Sequence, residues 1–267
     1  MDRQDIENIY YNWENHLKNE YNQIFHDAEY TIFDGVISPY EYYNSPIKIL
    51  FLNREPYAYD ECSYEIHKAL KEQIEQEKTI FNGTFWINQN LKERLYYCSM
   101  LDHILDYSEE VAIHQAQNMS NKEYRHLLYK SAYINIKKSD GVNGSSKNNL
   151  LNYAQKGWTI IEKQISFFNP TIIIGGNIVD RIVECVNGIN WGEDIFNEKD
   201  NSVRIYQIKI GNKLFPLADM YHPSFWHHSQ DIFFALKFLA QRYPSFWESR
   251  IGQKCFEFQQ SSQHFTI

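Results

Sequence analysis

Side chains capable of acid–base or binding chemistry follow three apolar runs of the chain. The run Ile47–Leu52 leads into Asn53–Tyr57, a second run ends at Asn135–Lys138, and a third leads into Asp219–Trp226. These groups offer a carboxylate, an amide beside two lysines, and a histidine beside aromatic rings. The carboxylate is held stiffly, because the proline after it restricts its backbone. A strand that simply leaves into a polar loop is the structural alternative at the first group.

Four apolar runs rich in β-forming residues predict strands, and amphipathic stretches between them predict helices. The predicted strands cover Ile47–Leu52, Ser131–Ile136, Pro170–Asn177 and Lys213–Met220. The last is the second arm of a hairpin that begins at Val203. Strands separated by helices form right-handed βαβ units. We therefore predict an α/β fold, a three-layer α/β/α domain with a central, mostly parallel four-stranded sheet. The three polar groups then meet at the carboxyl edge of the sheet, where ligands bind.

The chain is predicted to form one domain over residues 1–267, since no linker interrupts it. An N-terminal helical extension covers Asp5–Phe25, and residues of about 58–130 form a helical insertion between the first two strands. Asn177 is predicted to cap a helix after the third strand. Further helices are predicted at Cys62–Glu77, Leu91–Ile104, Lys122–Leu128, Asn149–Phe168 and Ser229–Gln241.

Composition argues against several functional classes. The chain has 43% hydrophobic residues, no apolar run as long as a membrane span and no signal peptide, so we expect a cytoplasmic protein without a membrane partner. The cysteines form no C-x-x-C and are expected to be reduced; they are Cys62, Cys98, Cys185 and Cys255. No metal is expected, because no known ligand spacing matches the cluster of Asp219, His222, His227 and His228.

Charge is segregated along the chain. The net charge of −8 argues mildly against a nucleic-acid partner, although binding depends on where positive charge sits. Residues 120–147 hold six basic and two acidic side chains, a net charge of +4. The basic residues are Lys122, Arg125, Lys130, Lys137, Lys138 and Lys147. This segment is either a phosphate-binding region or a solvated face.

The three polar groups resemble, in the same order, the motifs of the uracil-DNA glycosylase superfamily. That family has a G-Q-D-P-Y or G-E-A-P-G type motif after its first strand, where this chain has NREPY at Asn53–Tyr57. Its middle motif, N-V-V-K in one branch, is similar to Asn135–Lys138. Its last motif, H-P-S followed by a wedge residue, is similar to His222–Trp226. The resemblance covers roughly Ile47 to Gln241 in architecture, but in motif only these three groups.

The resemblance implies catalytic and base-binding roles. Glu55 stands at the position of the catalytic Asp and would orient water or stabilise an oxocarbenium-like sugar. His222 would stabilise the negative charge that grows on the departing base. Asn135 would read the edge of a flipped base, and Tyr57 would limit substituents on a pyrimidine ring. Each has a structural alternative, such as a core histidine for His222 or a strand-end cap for Asn135.

DNA contacts are implied in the same way. Trp226, beside Phe225, is placed like the residue that fills the gap left by the flipped nucleotide, although both rings could belong to the core. Phosphate contacts are expected at Ser224, Lys137, Lys138 and Lys147.

The chain departs from the family at Asn53 and Arg54, which replace a glycine and a glutamine, and in its longer acid, Glu55. An asparagine in place of the glycine indicates a reshaped base pocket, and Arg54 could meet a phosphate, a sugar hydroxyl or Glu55. These departures, together with the insertion, favour a modified pyrimidine over uracil. A hydroxymethylcytosine derivative of bacteriophage DNA is one example.

The sequence therefore predicts a DNA glycosylase that flips a pyrimidine and hydrolyses its N-glycosidic bond. A modified pyrimidine is favoured over uracil as the substrate base. We expect a monomer without cofactor, acting in DNA repair or phage defence. No lysine is assigned to attack the sugar, although Lys137 leaves a lyase reaction open. A non-catalytic nucleic-acid or protein-binding module on the same fold is the alternative, and a glycosidase of free nucleosides or nucleotides is a third.

Overall fold

The computed structural model describes residues 1–26, 28, 30–56, 63–75, 89–139, 147–179, 203–220 and 230–242. Its helices are α1 Arg3–Ile24, α2 Pro39–Asn44, α3 Ile66–Glu75, α4 Gln89–Ser99, α5 Glu109–Gln117, α6 Asn121–Tyr129, α7 Lys147–Phe168 and α8 Gln230–Arg242. Its strands are β1 Ile32–Phe33, β2 Ile49–Asn53, β3 Tyr64–Glu65, β4 Ser131–Asn135, β5 Ile172–Gly176, β6 Val203–Ile210 and β7 Lys213–Met220. None of the helices in these ranges is long and apolar enough to cross a bilayer.

Within the described ranges, the main sheet has five strands in the order β4-β2-β5-β7-β6. The first four are parallel, and β6 pairs antiparallel with β7. The prediction of an α/β fold with a mostly parallel sheet is confirmed, but its count of four strands is wrong. The fifth strand is the first arm of the predicted hairpin, which pairs along its full length from Val203↔Met220 to Ile210↔Lys213. Gly211 turns this hairpin with a φ of +58°, which glycine adopts readily.

The strand order creates a topological switch point between β2 and β5. The chain passes from β2 to β4 on one side, then crosses to β5 and β7 on the other. In open α/β sheets a crevice forms outside the carboxyl ends of the strands at such a point, and ligands bind there. The segments that leave β2 and β5 at this edge are Arg54–Pro56 and Asn177–Val179.

Both faces of the central strands are buried, as their continuous apolar sequences predicted. Every residue of β2, β4 and β5 is buried. Leu50 and Leu52 belong to a hydrophobic cluster that includes residues of α1 and α7. Ile49 and Phe51 belong to a second cluster that includes residues of α4 and α8. The alternation along β2 therefore separates two hydrophobic cores.

The predicted N-terminal helix is confirmed as α1. Asp2 and Asp5 form a reciprocal capping box at its start. Its buried face includes Trp13, whose ring stacks on Phe167 of α7 with centroids 3.9 Å apart. After α1, residues 31–37 run antiparallel beside β4, where the Tyr133 amide donates to the Gly35 carbonyl at 2.9 Å. This segment covers an edge of the sheet that would otherwise be open.

The region of the predicted insertion is largely helical where it is described, with three differences from the prediction. The helix predicted over Cys62–Glu77 begins only at Ile66, after the short strand β3. The helix predicted over Leu91–Ile104 ends at Ser99, and a short 3-10 turn follows at Ile104–Asp106. The sequence also failed to predict α5, which buries only Ala112 and Ala116. Two small side chains give no strong apolar periodicity, so the main sequence signal for α5 is the capping residue Ser108 at its start.

Candidate functional site

The carboxyl ends of β2 and β4 lie side by side. Asn53 and Asn135 are register partners, two residues beyond Phe51 and Tyr133, whose rings stack 5.1 Å apart. Because side chains alternate along a strand, both asparagines lie on the same sheet face as these rings. Asn53 is 8% exposed and Asn135 4%. No described residue forms a hydrogen bond with either side-chain amide. The sheet thus presents two adjacent buried amides at its edge.

Glu55 and Lys137 lie two residues past the ends of the same two strands. Past the strand ends, the Ile136 amide donates to the Asn53 carbonyl at 3.0 Å, and that of Lys137 to the Arg54 carbonyl at 2.9 Å. The ammonium of Lys137 lies 4.0 Å from Glu55 Oε2 and 5.2 Å from the ring centroid of Tyr153. The Lys137 side chain is 6% exposed and that of Glu55 15%. Lys137 therefore lies within the site rather than on a solvated face.

Arg54 connects the two sides of the switch point. Its Nη2 donates to the backbone carbonyl of Asn177 at 3.2 Å, which ties the segment after β2 to the segment after β5. Asn177 adopts a φ of +55°, a conformation that asparagine tolerates better than most residues. Of the three partners suggested by the sequence, none is this carbonyl. The observed contact gives Arg54 a positioning role at the crevice.

Asp219, at the end of β7, holds the segment after β5. Its carboxylate accepts hydrogen bonds from the amides of Ile178 at 3.0 Å and Val179 at 3.1 Å. The contact requires a glycine at position 175, because a Cβ there would lie 2.5 Å from Asp219 Oδ1. The helix that Asn177 was predicted to cap lies beyond Val179, outside the described residues. The sequence indicated Asp219 only as a candidate metal ligand.

Lys138 supports the site from inside the fold. Its ammonium pairs with the buried Asp34 carboxylate and donates to the Asn135 carbonyl at 3.2 Å. Asp34 also accepts from the Asn135 amide at 2.5 Å and from Gln164 Nε2 at 3.1 Å. Burial lowers the pKa of Lys138, and the adjacent Asp34 charge opposes that shift. Lys138 is therefore a structural ion-pair partner that holds Asn135, and we do not retain it as a phosphate contact.

Several predicted site residues lie outside the described part of the chain. They are Tyr57, His222, Ser224, Phe225 and Trp226. The backbone of Lys147 begins α7, but its side chain is not described. Of the predicted site residues, the structure brings together Asn53, Arg54, Glu55, Asn135 and Lys137.

A second polar cluster, on α1, β3 and α3, has ligand atoms close enough for a metal ion. Glu14, Glu65 and His67 each offer one such atom within 4.8 Å of the others. However, Lys18 and Lys68 pair with both carboxylates. Burial alone would raise the pKa of Glu14, but these cations and His67 lower it to about 2. A divalent cation would meet two ammonium charges, so the cluster is better described as an ion-pair network.

A groove of about 560 Å³ lies between α4, α5 and α6. Polar groups along it bind one another: the Tyr96 hydroxyl donates to Gln115, and Glu123 accepts from the Ser120 amide at 2.8 Å within its own capping box. Burial lowers the pKa of His126, which also lines the groove. The groove carries no convergent catalytic set among its described residues.

No protein-family model matches this chain, and no curated protein matches it in sequence. Its chemistry must therefore be inferred from the strand-end residues and from the motif resemblance.

Proposed function

We propose that the protein is a DNA glycosylase that extrudes a modified pyrimidine nucleotide and hydrolyses its N-glycosidic bond. The observation that carries this proposal is the juxtaposition at one edge of the sheet. Glu55, with Lys137 beside it, lies two residues beyond the buried amides of Asn53 and Asn135. This group is next to the switch point of a mostly parallel sheet. The resemblance of three ordered motifs to the uracil-DNA glycosylase superfamily supports the same conclusion.

The two amides suit recognition of a flipped base. An amide offers both a donor and an acceptor, as does the edge of a pyrimidine. Asn53 and Asn135 lie on the same face of neighbouring strands and are almost fully buried. A base bound by both amides would form hydrogen bonds along its polar edge in a site from which water is excluded. The Lys138–Asp34 pair holds the backbone of Asn135 on both its N–H and C=O sides, which reduces the entropy that binding would cost.

Glu55 suits the chemical step. Cleavage of an N-glycoside passes through a cation-like sugar, which a carboxylate stabilises or to which it directs a water molecule. Its largely buried position strengthens such an electrostatic interaction, because the effective dielectric constant is lower there. The Pro56 that follows is also buried and limits the backbone of Glu55. The restricted backbone suits Glu55 to a positioned role.

The remaining roles come from the resemblance alone. His222 would stabilise charge on the departing base, Tyr57 would shape the pocket, and Ser224, Phe225 and Trp226 would contact DNA. The proposal includes a three-layer α/β/α arrangement like that of the superfamily. Two separate hydrophobic clusters, one with residues of α1 and α7 and the other with residues of α4 and α8, support it. We propose a monomer that needs no cofactor and a substrate such as phage-type hydroxymethylcytosine.

Abasic-site formation on a panel of DNA duplexes tests this proposal. The panel holds uracil, 5-hydroxymethylcytosine and its glucosylated forms. We expect one substrate to yield abasic sites, and Glu55→Gln to lower the rate on the order of 10²–10⁴-fold. Asn135→Ala and His222→Ala should also lose activity. The matched control is Glu110→Gln, an exposed carboxylate in the first turn of α5. If Glu55→Gln retains the wild-type rate, the assignment of Glu55 is wrong.

A nucleic-acid-binding module without catalysis is the second candidate. The net charge of −8 and the lysine that already balances Glu55 favour it. This candidate predicts DNA binding that weakens with salt, no abasic sites on any duplex of the panel, and equal affinity in the Glu55→Gln variant.

A further inference from the structure

We propose that Lys137 is an amine nucleophile that gives the protein a second activity, cleavage of the DNA strand at an abasic site. The inference rests on the proposed function in one respect: an abasic site is the product that a glycosylase would leave in this crevice. Its sugar opens to an aldehyde, and lysine amines form imines with carbonyl groups.

The position of Lys137 carries the inference. Its backbone is fixed beside that of Arg54 by a 2.9 Å hydrogen bond, at the carboxyl edge of the sheet. Its side chain is 6% exposed, so the amine is directed along the protein interior towards Glu55, 4.0 Å away, rather than into solvent. The face of Tyr153 lies 5.2 Å from the amine on another side. The amine is thus held beside the carboxylate that would face the sugar.

The neighbouring lysine does not share this placement. Lys138 is buried, pairs with Asp34 and donates to the Asn135 carbonyl, so its function is structural. The two adjacent lysines therefore have different functions: Lys138 supports the site from the interior, and Lys137 lies within it. A merely electrostatic role for Lys137 would be satisfied by an arginine, whereas imine formation would not, since a guanidinium stays protonated.

The reaction balances with the groups at hand. Lys137 passes a proton to Glu55, and the neutral Nζ adds to C1′ of the sugar aldehyde to give a carbinolamine. Glu55 returns this proton to the carbinolamine hydroxyl, which leaves as water, and a protonated imine remains. Glu55 then removes a proton from C2′, a C2′=C3′ double bond forms, and the C3′–O bond breaks as the phosphate leaves with its electron pair. Hydrolysis of the imine frees Lys137 and an unsaturated aldehyde. No oxidant, reductant or metal takes part.

Borohydride trapping tests the proposal with a duplex that carries a preformed abasic site. Reduction of the imine would link protein and DNA covalently, and a denaturing gel would resolve the adduct. We expect an adduct and strand cleavage with the wild type, and loss of both to background with Lys137→Arg. The control is Lys209→Arg, an exposed lysine on β6. Thermal unfolding of each variant would establish that it is folded.

Two results would overturn the proposal: no adduct with folded wild-type protein, or an adduct that persists in Lys137→Arg. Because the abasic site is supplied, the outcome does not depend on base excision. Abasic sites formed from the panel of duplexes without trapping would leave the glycosylase proposal intact and remove the lyase. Trapping on the preformed abasic site, without base excision on any duplex of the panel, would support the lyase and remove the glycosylase proposal.

Discussion

At the scale of single residues, the site depends on buried polar groups that are held by other buried polar groups. Asp34 is the clearest case, because its one carboxylate binds the Lys138 ammonium, the Asn135 amide and the Gln164 side chain. None of these contacts follows from the sequence, since Asp34 lies about 100 positions from Asn135. The sequence did indicate Asn135, because a polar residue ended an apolar run.

Replacing Asp34 tests this support. We expect Asp34→Asn to lower the free energy of unfolding by about 3–5 kcal/mol, because it leaves the Lys138 charge buried without its partner. Urea denaturation would measure the change. The matched control is Glu20→Gln, which removes the partly exposed pair with Lys163 and should cost no more than about 1 kcal/mol. Equal effects of the two substitutions would contradict this account.

Gly175 tests the contact between β5 and Asp219. An added Cβ would meet Asp219 Oδ1 at 2.5 Å and Ile178 Cγ1 at 2.9 Å, so Gly175→Ala must displace the segment after β5. We expect a loss of about 1–3 kcal/mol in unfolding free energy and reduced activity, because Arg54 binds the same segment. Gly157→Ala, whose Cβ would lie 3.2 Å from the Phe25 ring, is the control. Retained activity in Gly175→Ala would separate this segment from function.

Among the secondary-structure elements, the sequence predicted most of those that have a regular pattern of apolar residues. Continuous apolar runs located β2, β4 and β5, and the Gly211-Asn212 turn located the β6–β7 hairpin. The hairpin prediction thus paired β6 with β7, although β6 was left out of the predicted count of sheet strands. Apolar periodicity does not report elements whose buried side chains are small, as with α5.

The ion-pair network between α1 and α3 makes stability depend on acid pH. The pKa of Glu14 falls from its ordinary 4.5 to about 2 in the folded protein. A carboxyl whose pKa is lowered by folding stabilises the protein above its unfolded pKa, and this stabilisation is lost as pH falls through the folded value. We expect Glu14 to contribute up to about 3 kcal/mol at neutral pH and to lose it between about pH 5 and pH 2.

Denaturation at several pH values, compared between the wild type and Glu14→Gln, measures this contribution. The variant should be less stable at neutral pH and should lose stability less steeply below pH 5. Parallel slopes in the two proteins would show that Glu14 does not titrate with the pKa inferred from its surroundings.

At the scale of the whole molecule, function is inferred from the order of strands as well as from motifs. The order β4-β2-β5-β7-β6 places the ends of β2 and β4 together and puts the crevice between β2 and β5. The sequence indicated parallel strands but not their order, because order depends on contacts between distant segments. This order makes neighbours of the polar groups that follow β2 and β4, and it places Asp219 of β7 beside the segment that follows β5.

Release of a free base from DNA is the direct measure of base excision by this protein. Duplex DNA containing glucosylated 5-hydroxymethylcytosine, or another base of the panel, is incubated with wild type, Glu55→Gln and Glu110→Gln, and the small molecules released are identified by mass spectrometry. We expect one intact modified pyrimidine, released at the same rate by wild type and Glu110→Gln and at least about 100-fold more slowly by Glu55→Gln. DNA binding by the wild type without release of any base would contradict it.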